Sequence, residues 1–541
     1  MHPYSSHMIR KITAEAILFV FTAIIIVQFL TSCHQRQKVE TKTVRDTSIT
    51  PANAYSKFFI DSLFLEKFIS AEVTSDSIAS YIRNFYNARN YSAAWFDEEG
   101  LTVQAQGFWN MHDKTVKEFS DSSIFDKQLH AIIDTLNNDS TFVLPQNMLP
   151  TIELRFTKHF FQYVQLAYSG KVDPATVQWH IPRRKLKPLA LLDTFLNSKT
   201  GEWKPLSKAH RLLQLALFKY KEIEHKGGWP EVPTGNKSYK PGDKGAVITA
   251  VKRRFQATGD YTIKDTSSVY NTDLINVVKK AEVSYGLKPD GIVSASLIRQ
   301  LNVPVEERIK QMLINLERMK WMPQESPTYI VANIPEYRLH VVENHKEVLK
   351  MSIVVGKAAN RTVVFSDELK YVVFSPYWNV PKSIVRNEIY PAMQRNANYL
   401  SKNNMEITGY SEGLPIVRQK PGNENALGHV KFIFPNSYNI YFHDTPSRYL
   451  FNREHRAFSH GCIRLHQPFD LAVYLLKDQP EWTKEKIKAA MERSTEQWVT
   501  LKQSVPVYIT YFTAWVDNEN LLHFAEDIYG HDKRLAEHLF E

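Results

Sequence analysis

Apolar residues recur at two different periods along this chain, and the period changes near residue 328. Before that point they are three or four positions apart, as at Ile78, Ile82 and Phe85, which is the spacing of one face of an α-helix. After it come short β-branched segments separated by turn residues, which is typical of strands. The pattern predicts an α+β multidomain chain whose N-terminal part is helical and whose C-terminal part is mostly β.

The helical part divides into a scaffold over residues 55–235 and a second unit over residues 240–303. In the second unit the pattern predicts three helices, with Thr272 as the N-cap of the middle one and an Asp-Gly turn before the last. This order resembles the small three-helix peptidoglycan-binding module of cell-wall enzymes. Residues 304–325 then form a predicted connector helix.

Residues 326–513 are predicted to form one mostly-β domain. Their spacing favours a sandwich or an open barrel. Asn-rich, helical sequence over 387–413 interrupts the strands and is interpreted as an insertion that caps the domain. A helix is expected over 469–477, and residues 514–541 form a C-terminal extension. The predicted strands cover residues 330–334, 339–342, 351–356, 371–374, 430–434, 440–442 and, as the last one, 506–511.

Length and charge set limits on function. The 541 residues predict about three or four domains. Sixty-seven lysines and arginines against 57 aspartates and glutamates give a net charge of +10, which is dilute over a chain of this size. This balance favours an anionic neighbourhood such as a cell-envelope polymer or membrane surface, and it argues against a dedicated nucleic-acid binder.

Cysteine is the rarest informative residue, with only Cys33 and Cys462 in the whole chain. Two isolated cysteines exclude a disulfide framework, zinc fingers and cysteine-ligated iron–sulfur clusters. Each cysteine therefore needs an explanation of its own.

Cys33 ends a predicted secretory signal. A basic start is followed by an apolar stretch over residues 17–30, and the ending Leu-Thr-Ser-Cys resembles a bacterial lipobox. The prediction is a signal peptide over residues 1–32, with Cys33 as the lipidated first residue of the mature chain. Residues 33–54 are polar and predict a tether.

Two other interpretations of this N-terminal segment stay open. Glu15 lies at the edge of the apolar stretch and Gln28 interrupts it, so an uncleaved N-terminal anchor is the first alternative, and a coincidental cysteine is the second. The lipidated signal peptide and the uncleaved anchor both place the chain outside the cytoplasm. The predicted location is the bacterial cell envelope, in the periplasm and attached to a membrane.

Cys462 is the candidate for chemistry. A thiol becomes a strong nucleophile only as a thiolate, so it needs a base or a cation close by. His443 ends a predicted strand whose partner would bring Cys462 beside it. Gly461 allows a tight turn that leaves backbone amides free for an oxyanion, and Arg464 supplies a cation for a substrate carboxylate.

The residue types alone leave two alternatives to thiol catalysis. An isolated cysteine is often a small buried hydrophobe, and most of the 19 histidines are expected to be structural. A zinc site formed by His443, His460 and Cys462 is the second alternative, although it needs carboxylate support.

The spacing of these residues resembles a known signature. His443 is followed by 15 residues and then by Ser-His-Gly-Cys-Ile-Arg at 459–464, as in the YkuD-type catalytic domain of L,D-transpeptidases. Segment 375–381 and the Pro-Gly and Leu-Gly pairs of 420–428 match as well. The N-terminal region and connector are similar to those of the large, multidomain YcbB-like members.

The resemblance assigns roles to residues. It implies that Cys462 is the nucleophile and His443 the general base, and that 387–413 is a capping subdomain. Ser459, His460 and Gly461 belong to the flanking oxyanion motif, and Arg464, Trp378 and Asn379 are expected to bind the substrate carboxylate. No metal or organic cofactor is implied.

The reaction implied is peptidoglycan L,D-transpeptidation during cell-wall biogenesis. Donor tetrapeptide stems would acylate Cys462 as a thioester, and acceptor stems would complete 3→3 crosslinks between diaminopimelate residues; carbapenems are expected to acylate the same thiol. An L,D-carboxypeptidase or exchange enzyme on the same scaffold is one alternative, and a wall-binding lipoprotein without activity is the other.

Overall fold

The computed structural model describes residues 43–540 except 99, 120–123, 140–141, 143, 185, 199–206, 236 and 324–325. The predicted signal peptide and Cys33 lie outside the described residues. Within the described ranges, no helix has the length and apolar character needed to cross a membrane. By compactness the chain divides into two units, Met1–Thr102 with Val143–Lys158 and Val103–Phe142 with His159–Glu541.

Helices dominate the described chain before residue 328, as the apolar period predicts. They are α1 (Ser62–Glu72), α2 (Asp76–Ala88), α3 (Val103–Phe119), α4 (Lys127–Asn138), α5 (Leu149–Val164), α6 (Pro188–Leu196) and α7 (Lys208–His225). Three short strands lie among them, namely β1 (Phe96–Asp97), β2 (Gly100–Leu101) and β3 (Trp179–His180).

A buried carboxylate organises the first unit. Glu153 is fully buried and accepts hydrogen bonds from the backbone N–H groups of Ala94 (2.6 Å) and Trp95 (3.0 Å) and from the Tyr86 hydroxyl (2.9 Å). Burial raises the pKa of Glu153. Three donors on one buried carboxyl group fix the segment before β1 against α5, because leaving any of them unpaired would be costly.

Three helices with one apolar core follow in the second unit: α8 (Ala246–Ala257), α9 (Thr272–Ser284) and α10 (Ala295–Leu301). Val251, Phe255, Leu274, Val278 and Leu297 are among the side chains of that core. The expectation that Thr272 caps α9 is wrong by one residue. The cap is Asn271, whose side chain accepts the Leu274 N–H, so Thr272 is the first helical residue.

The connector helix α11 (Val305–Lys320) leads into the strands. These are β4 (Thr328–Asn333), β5 (Arg338–Glu343), β6 (Lys346–Gly356), β7 (Val364–Phe374), β11 (Val430–Ile433), β12 (Phe442–His443), β13 (Ala457–Ser459), β14 (Ile463–Leu465) and β15 (Gln497–Thr510). Each predicted strand overlaps an observed one, although the strand predicted over 440–442 forms at Phe442–His443 instead. Helices α15 (Pro468–Leu475) and α16 (Lys484–Met491) lie between β14 and β15.

The pairing of these strands closes on itself. The order is β11-β12-β14-β6-β5-β4-β15-β7, and β11 also pairs with β7, so that both ends of the series meet. Neither a sandwich nor an open barrel describes this arrangement. The enclosed core carries alternate apolar side chains of the strands, such as Ile330, Leu339, Val372 and Phe442.

The capping insertion differs from the expectation over its second part. It contains α12 (Lys382–Ile384), a π-helical turn at Val385–Ile389, α13 (Tyr390–Arg395), α14 (Tyr399–Lys402) and a small sheet of β8 (Trp378–Asn379), β9 (Met405–Ser411) and β10 (Leu414–Gln419). The prediction of helix throughout 387–413 is wrong at β9. There Ile407 and Tyr410 carry the β-propensity, and Glu412-Gly413 forms the hairpin turn, both with positive φ.

The C-terminal extension is ordered into β16 (Ala514–Val516), β17 (Leu522–Phe524) and α17 (His531–Leu539). The expectation that the strand at 506–511 is the last one is therefore wrong. Gln311 donates to the carbonyls of Thr513 and Ala525, and Arg318 pairs with Asp532 at 2.6 Å. The extension thus packs on the connector helix through buried polar contacts.

Candidate active site

The strand pairing brings the two predicted catalytic segments together. β12 runs parallel to β14, with Phe442 opposite Ile463 and His443 opposite Arg464. Cys462 immediately precedes β14, and the Ile463 N–H donates to the Tyr441 carbonyl at 3.2 Å. The 19 positions that separate His443 from Cys462 in sequence are therefore bridged by one step across the sheet.

The Cys462 thiol is protonated in its surroundings. Its Sγ lies 3.6 Å from the Asn439 carbonyl, to which it donates. Burial raises the pKa of the Cys462 thiol, and this outweighs the hydrogen bonds from Tyr441 and the charge of Arg464, which act to lower it. At rest Cys462 is therefore a neutral thiol held against a backbone carbonyl.

His443 is buried and holds one tautomer. Its Nδ1 lies 2.5 Å from the carbonyl oxygen of Asp444, an acceptor, so Nδ1 carries the proton and Nε2 carries the lone pair. Burial and the nearby Arg464 charge lower the pKa of His443 to about 3. The imidazole is therefore neutral at pH 7 and available to accept a proton.

Asp444 supports this orientation. Its buried carboxylate accepts the His429 N–H at 3.0 Å and the Arg448 guanidinium at 3.2 Å. A Cβ on Gly428 would overlap this carboxylate, so only glycine fits there at φ 60°. The chain that follows His443 is thereby fixed, and with it the carbonyl that sets the histidine tautomer.

Ser459 and Gly461 shape the turn before the nucleophile. The buried Ser459 hydroxyl donates to the Cys462 carbonyl at 2.6 Å and accepts the Gly461 N–H at 3.1 Å. The Gly461 amide is therefore occupied and cannot stabilise an oxyanion, contrary to one expectation from sequence. The Cys462 N–H, by contrast, has no acceptor within the described chain.

Arg464 is a half-buried cation beside the catalytic pair. Its Nε is buried without a hydrogen-bond partner among the described residues. A buried unpaired donor is costly, so an anionic or carbonyl ligand that reached Arg464 would gain binding energy. The expectation that Arg464 faces a substrate carboxylate stays a prediction.

His460 contacts the capping insertion and is not placed as the base. It is exposed, and its Nε2 lies 3.0 Å from the Glu388 carboxylate in the capping insertion. This contact joins the nucleophile turn to the insertion. Among the residues described here, no three histidine, cysteine, aspartate or glutamate side chains are grouped so as to hold a metal ion.

Trp378 and Asn379 form β8 of the small sheet, where they pair with Gln419 and Arg418 of β10. The Trp378 ring packs against the apolar cluster of the insertion, and Asn379 is exposed. The structure therefore places both residues in the small sheet of β8, β9 and β10 rather than on β12 or β14 next to Cys462.

Tyr441 was not predicted and lies in the centre of the site. It lies close enough to Cys462 for each group to influence the pKa of the other, and its ring centroid is 5.8 Å from that of His443. Burial raises the pKa of Tyr441, so the phenol stays protonated. Strand alternation offered a signal, because residues two apart on a strand share a face and Tyr441 stands two positions before His443.

These features define a class of site. A half-buried cysteine, a neutral histidine of fixed tautomer and a backbone N–H without an acceptor among the described residues are groups that acyl transfer through a thioester uses, and Arg464 adds a cation beside them. Comparison with known proteins gives the class a family.

Residues 327–489 match the YkuD family, described as an L,D-transpeptidase catalytic domain, and residues 80–217 match a scaffold domain family. A curated Haemophilus influenzae protein named "Putative L,D-transpeptidase" is 30% identical over 298 residues, which are 52% of this chain and 60% of the relative's length. The chain thus carries a YkuD-type L,D-transpeptidase catalytic domain over residues 327–489, and it spans 60% of the length of the curated relative.

Solved structures give the same family name with weak overlap. An L,D-transpeptidase from Mycobacterium smegmatis is 14% identical with a TM-score of 0.20, over 35% of this chain and 60% of that one. An L,D-transpeptidase from Stackebrandtia nassauensis is 13% identical with a TM-score of 0.22, over 51% and 97%. At these scores the superpositions carry no argument about fold or activity.

Proposed function

We propose that this protein is a peptidoglycan L,D-transpeptidase that forms 3→3 crosslinks through a thioester on Cys462. The observation that carries the proposal is the parallel pairing of β12 with β14, which sets a neutral, Nδ1-protonated His443 beside the strand that follows Cys462. The family membership of residues 327–489 supplies the substrate class, the stem peptides of peptidoglycan.

In the first half-reaction the Cys462 sulfur attacks the carbonyl carbon of the third stem residue. The thiol proton passes to Nε2 of His443, and the Cys462 N–H stabilises the negative charge on the carbonyl oxygen. The bond to the terminal D-alanine then breaks, and the leaving amine takes the proton from His443. The products are free D-alanine and a thioester on Cys462.

In the second half-reaction an amine of the acceptor stem attacks the thioester carbonyl. His443 takes the proton of that amine and returns it to the departing sulfur, which restores the thiol. The acceptor is the side-chain amine of diaminopimelate in the proposed reaction. Water in its place would give an L,D-carboxypeptidase, and an unreactive site would leave a wall-binding protein.

Recognition of the donor is assigned to Arg464. Its unpaired Nε and its position opposite His443 suit the carboxylate at the D-alanine end. Trp378 and Asn379 are proposed to contact the same stem from the insertion, with Asn379 as the exposed member of the pair.

Purified tetrapeptide muropeptides, incubated with the protein and resolved by mass, test the proposal. Crosslinked dimers and free D-alanine are expected, whereas tripeptides alone would indicate the hydrolase and unchanged substrate would indicate no activity. Cys462→Ala should abolish turnover. Turnover that survived this change would show that Cys462 is not the nucleophile.

The helices α8–α10 are proposed to hold the chain on the wall, since they form a separate apolar core as a binding module requires. The Cys462→Ala variant, which lacks turnover, should therefore still co-sediment with purified sacculi. Failure to co-sediment would contradict this role without affecting the catalytic proposal.

The chain is further proposed to be an exported periplasmic lipoprotein anchored through Cys33, on the basis of the Leu-Thr-Ser-Cys ending of its signal sequence. Replacing Cys33 with serine should remove lipid labelling and release the protein from the membrane fraction. Labelling that persisted would point to another anchor.

A further inference from the structure

The peptide between Gly461 and Cys462 is held from its buried side by a single threonine. The Thr362 hydroxyl donates to the Gly461 carbonyl at 2.8 Å and accepts the Gly356 N–H at 2.9 Å. Thr362 is fully buried in the loop between β6 and β7, more than 80 residues before the nucleophile in sequence. Both capacities of the hydroxyl are therefore used to connect the end of β6 with the nucleophile turn.

The direction of the Cys462 N–H follows from this contact. The carbonyl of Gly461 and the N–H of Cys462 belong to one trans peptide unit and point in opposite directions. Because the carbonyl points inward to Thr362, the N–H points outward. It has no acceptor in the part of the chain that the structure describes, as an oxyanion donor requires.

Gly461 makes such an anchor necessary. Its φ of 118° lies in a region that side-chain-bearing residues rarely adopt, and glycine rotates there with little steric cost. Rotation of the peptide would turn the carbonyl outward and remove the N–H from the carbonyl oxygen of a bound substrate. A fixed partner for the Gly461 carbonyl therefore decides whether the oxyanion donor is present.

Thr362 is itself held by the C-terminal extension. The Tyr529 hydroxyl accepts the Thr362 N–H at 3.3 Å and donates to the Gly356 carbonyl. A Cβ on Gly356 would overlap the backbone of Asn360 and Thr362, so only glycine permits this close turn. The Tyr529 ring is buried in the main core of the strands.

We propose that Thr362 is a positioning residue for catalysis, which holds the Gly461–Cys462 peptide so that the Cys462 N–H faces the oxyanion, and that Tyr529 supports it. The inference rests on the proposed acyl transfer at Cys462. Thr362 touches neither the substrate nor the reacting atoms, and it acts through the orientation of one peptide plane.

Two reactions of the same thiol separate this role from a general structural one. Acylation by imipenem proceeds through attack on a carbonyl and develops an oxyanion, whereas alkylation by iodoacetamide is displacement at a saturated carbon and develops none. Thr362→Val preserves the shape of the side chain and removes the hydroxyl. It should slow imipenem acylation about tenfold or more and leave iodoacetamide alkylation within about twofold.

Three further variants complete the test on the full chain. Thr362→Ser keeps the hydroxyl and should restore acylation, and Tyr529→Phe should slow acylation less than Thr362→Val does. Thr510→Val is the matched control, because Thr510 is also a fully buried threonine but belongs to β15 and bonds to Asn333. It should leave both reactions unchanged.

Unchanged acylation in Thr362→Val would overturn the inference, and so would an equal loss of acylation and alkylation, which would indicate a disturbed thiol. A fall in acylation alone, restored by serine, would support it. If the unmodified protein formed no acyl adduct at all, the proposed function would fail and the inference with it. That outcome is distinct from failure in Thr362→Val only.

Discussion

The ionisation state of Cys462 at neutral pH can be measured from the pH dependence of its alkylation. Burial raises the pKa of the thiol, and burial together with Arg464 lowers the pKa of His443 to about 3. Each shift favours the neutral form of its own group. The resting pair is therefore expected to be thiol and imidazole, rather than the thiolate–imidazolium ion pair found in cysteine enzymes with an acidic nucleophile.

The neutral pair and the ion pair differ strongly in their thiolate fraction at neutral pH. A thiol of ordinary pKa, about 8.5, is about 3% thiolate at pH 7, and the raised pKa of Cys462 makes this an upper limit. A thiol whose pKa lay near 4 would be fully ionised at the same pH. Since alkylation follows the thiolate fraction, the expected rate rises about tenfold for each pH unit between pH 6 and 8.

Iodoacetamide alkylation of the full chain measures this rate, with peptide mapping to separate Cys462 from Cys33. A short cysteine peptide is the reference, and Cys462 should react no faster than that peptide at pH 7. His443→Gln should follow the same pH profile, because a neutral imidazole does not ionise the thiol at rest, yet it should lose acyl transfer. A rate that was constant from pH 5 upward would refute the neutral pair.

Three other outcomes follow from buried polar groups. Ser459→Ala leaves the Gly461 N–H without its acceptor. It should slow imipenem acylation about 30-fold or more, which corresponds to about 2 kcal/mol of lost turn stability. The control Ser375→Ala, which removes one buried hydroxyl beside α16, should not slow acylation. Glu153→Ala should cost at least about 3 kcal/mol in urea unfolding, and Glu66→Ala, in an exposed pair, less than about 1 kcal/mol. The melting temperature should fall as the pH drops from about 6.5 towards 4, because the unfolded chain binds protons there that buried histidines do not, and a melting temperature that stayed constant would contradict this. The histidines with pKa lowered to about 4 or 3 are His112, His210, His443 and His531.

Local pattern was sufficient for the strands that carry the site. The segments that become β4, β6 and β7 are rich in β-branched residues and are bounded by turn residues, and that composition predicts strands. The place of His443 at the end of a predicted strand likewise indicated that a partner strand would bring Cys462 close to it. The pairing of β12 with β14 agrees with that reasoning.

Pairing that depends on distant segments was not predictable from the same pattern. Closure of the barrel requires β11 to pair with β7 on one edge and with β12 on the other. β11 is four residues long, and so short a sequence does not specify the partner strand on both of its edges. The hairpin of β9 and β10 lies in sequence with helical composition on one side. β9 pairs with β10, and β10 pairs in turn with Trp378–Asn379 of β8, which precedes the helices of the insertion.

The residues around Cys462 show where the limit lies. Tyr441 stands two positions before His443 and immediately before β12, so period-two alternation offered a signal for it. Thr362 and Tyr529 carry no such signal, because one lies in a loop and the other in the C-terminal extension, and each reaches the nucleophile turn only through hydrogen bonds at long sequence distance. A motif identifies the atoms that react, but the peptide plane behind Cys462 is oriented by residues outside the motif. The difference between acylation and alkylation in Thr362→Val therefore measures how much the orientation of this peptide contributes to acylation, and the sequence of segment 459–464 does not show that contribution.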